Sequence, residues 1–150
     1  SGMAPGRFAI TLNAVTSPEP LKVATPVVFL IRQVLEQAHD FADAVERLAS
    51  ATIPCDCLLL VSGTQAGEMV VIERTPGRVA LRGPVDGRIS VTNDYQVLEV
   101  DDPGVFDDLA ATTCSRYDRL LDLSRTVPDS LDACLDYLSD PEVQMPITVQ

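Results

Sequence analysis

The chain has 150 residues, 46% of them hydrophobic, with 22 acidic against 11 basic side chains and a formal net charge of −11. That length suits a single domain in which folding buries roughly 70% of the unfolded surface, so a core needs neither metal nor disulfides. The charge repels polyanions, and no basic patch with interleaved aromatics offsets it, which excludes nucleic acid as a partner.

The first element is a strand ending at Asn13. Phe8, Ile10 and Leu12 alternate with Arg7, Ala9 and Thr11, the period of a half-buried strand. A loop with Pro18 and Pro20 follows as far as Thr25. Thr25 then reads as an N-cap, with Pro26 at the first helical position. Val27, Leu30, Ile31, Val34, Leu35 and Ala38 have helical spacing. Asp40 caps a second helix with Phe41, Ala44, Val45 and Leu48 on one stripe. The apolar side of this helical hairpin needs a cover, and a sheet is the natural one.

Cys57 to Ser62 is a continuous apolar run, typical of a strand buried on both faces. Turns at Gly63–Gly67, Thr75–Gly77 and Gly83–Gly87 separate it from runs at Glu68–Glu73, Val79–Leu81 and Arg88–Thr92. Three hairpin-like turns in succession specify an antiparallel meander. Beyond Asn93 the pattern is acidic and helical. Pro103-Gly104 breaks the chain, Phe106 to Leu109 makes a helical turn, and a helix spans about Ser115 to Ser124. Another begins at Pro128-Asp-Ser130 with Leu131, Cys134, Leu135 and Leu138 as its stripe. Ile147 to Val149 reads as the start of a strand, so both ends of the chain look cut through sheet.

The titratable inventory is thin. Cys55 and Cys57 open the apolar run with both thiols on one face, a spacing that fits neither a zinc site nor a redox C-x-x-C pair. With Cys114 and Cys134 they read as buried free thiols in a reducing, cytoplasmic setting. A thiol-active pair would need exposed sulfurs of low pKa. His39, the single histidine, reads as a helix-end residue. No cofactor fingerprint, metal-ligand set, signal peptide, membrane span or lipidation motif is present in the sequence. What stands out is an Asn closing an apolar strand, twice: Asn13 and Asn93. Such an Asn is either a turn former bonding its own backbone or an amide N–H aimed at a developing oxyanion.

Ordered blocks carry a resemblance. Ser1-Gly-Met-Ala-Pro-Gly-Arg-Phe-Ala-Ile-Thr-Leu-Asn13, Thr25 to Glu36, Phe41 to Leu48, Val61 to Glu68 with Val70 to Arg74, Val91-Thr-Asn-Asp-Tyr95 and Ser115-Arg-Tyr117 follow one another along nearly the whole chain. In that order they resemble the choloylglycine hydrolase, acid ceramidase and N-acylethanolamine acid amidase group of N-terminal-nucleophile hydrolases, related to acyl-CoA:isopenicillin N acyltransferase. The resemblance implies an α+β fold, part of an αββα sandwich of antiparallel sheet with helices packed on its faces. It implies cleavage of a non-peptide amide by an N-terminal cysteine whose own α-amino group is the base, so that no histidine is required.

Carried over to this chain, the resemblance makes Asn93 an oxyanion-hole donor and Arg116 an organiser of the nucleophile's site. Asn13 is a weaker catalytic candidate, because the acidic residue that follows it in the ceramidase branch is Ala14 here. Tyr95 is a candidate for the acyl pocket, with a packed strand-end tyrosine as the plainer reading. None of the four cysteines is N-terminal, and Ser1 lies in a block that resembles an internal segment. The nucleophile is therefore expected outside this chain, which would be a fragment of a larger domain acting on a small amide or acyl substrate. The alternative is a non-catalytic acidic α+β domain that binds a partner through incomplete sheet edges. In that case Asn93 caps a turn and Arg116 faces solvent. Either reading allows a homo-oligomer or a complementing chain.

Overall fold

The computed structural model describes residues 1–101 and 108–144. Five strands, β1 (Gly2–Ala4), β2 (Phe8–Asn13), β3 (Cys57–Gly63), β4 (Met69–Arg74) and β5 (Val79–Arg82), form one sheet. Its order follows the chain and every pairing is antiparallel. Four helices complete the described residues: α1 (Val27–Gln37), α2 (Phe41–Ser50), α3 (Asp108–Leu123) and α4 (Leu131–Ser139). Two compact units are distinguished. One holds Ser1–Ile89 and the segment opening at Tyr95; the other holds Ser90–Asp94 and the C-terminal helices.

In the first unit, register explains the core. Ile10 pairs with Val61 and Leu12 with Leu59, while Leu59 pairs with Ile72 and Val61 with Val70. These alternate residues share one face and join Val27, Leu30, Ile31, Val34, Ala44 and Leu48 of the helical hairpin in a single apolar cluster. Leu58 and Val71, on the opposite face, are also fully buried. β3 is thus covered on both sides, as its continuous apolar run implied.

The turns follow backbone chemistry. Ala4 accepts from the Arg7 amide at 3.0 Å across Pro5-Gly6, and Gly6 has φ +71°. That is a type II turn, with Pro at its second position and Gly at the position needing positive φ. It adds β1, a three-residue strand too short and too small-chained to show in the pattern. Asp40 caps α2 by accepting from the Asp43 amide at 2.9 Å. Two arginines, one in the β1–β2 turn and one at the end of β4, bind the carbonyls at the C-terminal ends of the helices. Arg7 donates to the carbonyls of Leu35 and Ala38 at the end of α1, and Arg74 to those of Leu48 and Ala51 at the end of α2.

Several expectations need correction. Thr25 does not cap α1; Pro26 occupies the cap position at ψ 137° and the helix begins at Val27. Proline holds φ near −65° wherever it lies, so its presence fixes the boundary only to within a residue. Arg88–Thr92 is not a strand. Asp86 and Gly87, both at positive φ, make the tight turn the sequence signalled, but the returning run has only the bridge between Val85 and Arg88. An alternating pattern says which face would be buried and nothing about whether a ladder partner is present.

In the second unit, α3 starts at Asp108, earlier than the expected Ser115. α4 begins after Ser130, which caps it by accepting from the Ala133 amide. The apolar stripe of α4 has its expected spacing, yet Leu131, Leu135 and Leu138 are exposed. Cys114 and Cys134 are exposed rather than buried, since each lies on the solvent side of its helix. Pro103-Gly104, Phe106 and the run Ile147 to Val149 lie outside the described residues.

Candidate active site

β2 ends and β3 begins at the same end of the sheet, with Asn13 paired to Leu58. Asn13 is half-buried there, at the mouth of the Pro-rich loop. That loop is tied down by side chains. Asp56 accepts from the Ser17 amide at 2.6 Å and its hydroxyl at 2.9 Å, and Glu19 pairs with Arg78 at 2.7 Å. The Arg78 guanidinium is the main reason the Glu19 carboxyl titrates below its ordinary value. Tyr95 comes to this end of the sheet as well. Its hydroxyl donates to the Arg74 carbonyl at 3.0 Å. Burial first, and then the charge of Asp56, push the phenol well above its ordinary pKa, so it stays a neutral donor.

Cys57 faces the core with 2% exposure, and burial pushes its thiol up to about 12. A thiol so far from ionisation is a poor nucleophile at neutral pH, which removes the basis for a thiol-active Cys55–Cys57 pair. Among the described residues no group of three or more His, Cys, Asp or Glu side chains is placed to hold a metal ion. No helix among them is long and apolar enough to cross a membrane.

The second unit brings together Asn93 and Arg116, 23 positions apart in sequence. The Arg116 Nη2 donates to the Asn93 Oδ1 at 3.1 Å, and its Nε donates to the Thr112 Oγ1 at 3.2 Å. Arg116 is only 6% exposed, and burial lowers its pKa from the ordinary guanidinium value. The Asn93 backbone N–H donates to the Thr113 Oγ1 at 2.8 Å, whose hydroxyl in turn donates to Thr92 at 3.0 Å. Asn93 is therefore held in a loop by α3, not at the tip of a strand as the alternation suggested. A guanidinium only donates, so its bond orients the Asn93 amide with Oδ1 toward Arg116 and the donor end, Nδ2, turned the other way. Between α3 and α4 a separate cleft is lined by Arg119, Asp122, Tyr137 and neighbours, and it contains none of the candidate site residues Asn13, Asn93, Tyr95 and Arg116.

One residue of the first unit escaped the sequence reading. Glu73 is fully buried in β4, and its carboxylate accepts from the amides of Gln96, Val97 and Leu98. The signal was present as an acid inside the apolar run Val70-Val-Ile-Glu73.

The antiparallel sheet with a helical hairpin on one face is α+β, and its likeness to a solved acid amidase makes the fold one of the N-terminal-nucleophile hydrolase type. The model of the acyl-coenzyme A:6-aminopenicillanic acid acyl-transferase family matches residues 7–148, and the chain belongs to that family. It is similar to the guinea-pig (Cavia porcellus) N-acylethanolamine-hydrolyzing acid amidase, 39% identical over 62 residues, which are 41% of this chain and 18% of that protein. In three dimensions it resembles the Caenorhabditis elegans N-acylethanolamine-hydrolyzing acid amidase ortholog. The TM-score is 0.71 at 22% identity, covering 98% of this chain and 65% of the other. The chain thus spans about two thirds of that structure's length, and this second likeness is one of fold.

Proposed function

We propose that this chain is part of a larger domain that hydrolyses a non-peptide amide or transfers its acyl group, with Asn93 as oxyanion donor and Arg116 organising the site around it. The observation that carries the reading is the bond from the buried Arg116 to the Asn93 side chain. The alternative, a non-catalytic acidic interaction domain, expects Arg116 in solvent, and the burial of this residue counts against it.

The nucleophile in this reading is an N-terminal cysteine supplied outside residues 1–150. Its thiol sulfur attacks the amide carbonyl carbon while its proton passes to the cysteine's own α-amino group. Negative charge gathers on the carbonyl oxygen, where Asn93 donates from Nδ2; a preorganised donor of this kind typically contributes about 3–4 kcal/mol. The C–N bond breaks, the α-amino group returns the proton to the leaving nitrogen, and a thioester remains. Water or an acceptor amine then removes the acyl group. Arg116 fixes the amide rotamer of Asn93 and adds positive charge near the developing oxyanion. In this reading Asn13 is a weaker polar candidate and Tyr95 a candidate wall for the acyl group.

The test uses the complete gene product, with whatever sequence precedes Ser1. N-acylethanolamines are the first substrates to try, given the relatives' names, and acyl-CoA with 6-aminopenicillanic acid the second, given the family's. Release of fatty acid or of acylated amine, with an acyl thioester trapped on a cysteine, is the expected result. A complete, folded protein that forms no acyl thioester with any acyl amide or acyl-CoA would refute the reading.

A further inference from the structure

We infer that Thr113 is a positioning residue: from α3 it sets the backbone of Asn93, while its neighbour Thr112 sets the Asn93 side chain through Arg116. What the positioning achieves rests on the proposed amidase or acyltransferase role, but the contacts themselves do not.

All of these groups belong to the second unit. Thr113 lies well inside α3 and is only 5% exposed. A hydroxyl offers one donor and two acceptor sites. Thr113 uses both kinds, and both reach beyond its own helix. Its Oγ1 accepts from the Asn93 backbone N–H at 2.8 Å, and its hydroxyl donates to the Thr92 Oγ1 at 3.0 Å. Thr92 is buried as well. One side chain thereby fastens two consecutive loop residues to the helix.

Thr112, one position earlier, accepts from the Arg116 Nε at 3.2 Å, and the Nη2 of the same guanidinium meets the Asn93 Oδ1 at 3.1 Å. A guanidinium is a rigid planar fork, so holding Nε sets the direction of Nη2. Backbone and side chain of Asn93 are both referenced to one stretch of α3, from Thr112 to Arg116. Cys114 adds a weaker contact to the next loop residue, its Sγ 3.7 Å from the Asp94 Oδ2.

Packing alone does not call for a threonine at this buried position. Valine has nearly the same shape and no hydroxyl to desolvate. A threonine hydroxyl in a helix can also bond the carbonyl one turn back, which holds no other segment. Thr113 directs its hydroxyl to the loop instead. An oxyanion donor acts only within about 2.7–3.1 Å of the developing charge, so a fixed backbone at Asn93 matters as much as a fixed rotamer.

The experiment sets Thr113→Val against Thr113→Ser. Valine keeps the volume and removes the hydroxyl; serine keeps the hydroxyl and removes the methyl group. By NMR on this chain, exchange of the Asn93 backbone amide should quicken about tenfold in Thr113→Val, and its side-chain NH2 resonances should shift. Both should stay close to wild type in Thr113→Ser. If Thr113 only packs, the order reverses: serine leaves a cavity and lowers the unfolding midpoint, while valine leaves Asn93 untouched. That order overturns the proposal, and so does loss of α3 in both variants. In the complete protein, Thr113→Val should lower kcat about tenfold with KM within about twofold, the split expected when only transition-state alignment is lost. Thr113→Ser should keep kcat within about twofold of wild type. An undiminished kcat in Thr113→Val overturns the proposal too. If the complete wild-type protein cleaves no amide, the proposed function fails, while the Asn93 amide still decides the positioning.

Discussion

Asn93→Asp separates the structural role of this position from its chemical one. The substitution is nearly isosteric and places a carboxylate where the amide oxygen meets the Arg116 Nη2 at 3.1 Å. Two unit charges about 4 Å apart attract by about 4 kcal/mol at an effective dielectric near 20. Desolvating a new carboxylate takes back most of that, and the neighbouring Asp94 trims it further. The net expectation is a gain of about 1 kcal/mol. With m near 1–3 kcal/mol/M in urea, the unfolding midpoint of α3, followed by circular dichroism, should rise by about 0.3–1 M. The new carboxyl, beside a guanidinium, has its folded pKa below the unfolded value near 4. The gain is therefore present above about pH 4 and is lost as pH falls through the folded value. Activity should move the opposite way. The donor Nδ2 becomes an acceptor oxygen, and kcat of the complete protein should drop about 10²–10³-fold. A midpoint lowered by the substitution refutes the Arg116 geometry, and an undiminished kcat refutes the oxyanion role.

Three further outcomes are expected. Asp40→Ala removes the cap on the Asp43 amide and should cost about 1 kcal/mol, a fall of about 2–4 °C in Tm by calorimetry. Alkylation at pH 8 followed by mass spectrometry should modify Cys134 and Cys114 and spare Cys57, whose thiol is held near 12. Cys114 should gain reactivity as pH rises, because burial and then Asp94 raise its pKa. Arg78, Arg47 and Arg119 hold the carboxyls of Glu19, Asp43 and Asp140 below their ordinary values. Their contribution is present above the unfolded values of 4.5 and 3.8 and is lost as pH falls through the lower folded ones, so an acid melt should be shallower in Asp140→Asn.

What could be read from sequence was whatever a period or a cap encodes. The alternation of Phe8, Ile10 and Leu12, the stripe of α1, the cap at Asp40 and the unbroken run from Cys57 each reappear as elements, because burial on one face or both writes itself into spacing. β1 was invisible, since Gly2-Met-Ala4 has no apolar rhythm. The run after Arg88 has the rhythm but no ladder. Asn93 and Arg116 were each suggested by resemblance to a family, but their bond was not legible. Nothing in spacing brings together residues 23 positions apart on a loop and a helix. Glu73 was legible in principle, as an acid among aliphatics, yet its meaning lies in three amides that belong to another segment.

Arg7 and Arg74 have a mechanical consequence. Arg7 reaches from the β1–β2 turn, and Arg74 from the end of β4, to grip the last carbonyls of α1 and α2 respectively. Oily layers alone can slide past one another at little cost, because the dispersion attraction given up at one place is recovered at the next. Directional bonds at two separate rivets remove that freedom. The helical layer cannot shear across the strands without first pulling a guanidinium from its carbonyls. Thermal opening of the hairpin and of the sheet should accordingly happen together, leaving a stiff plate.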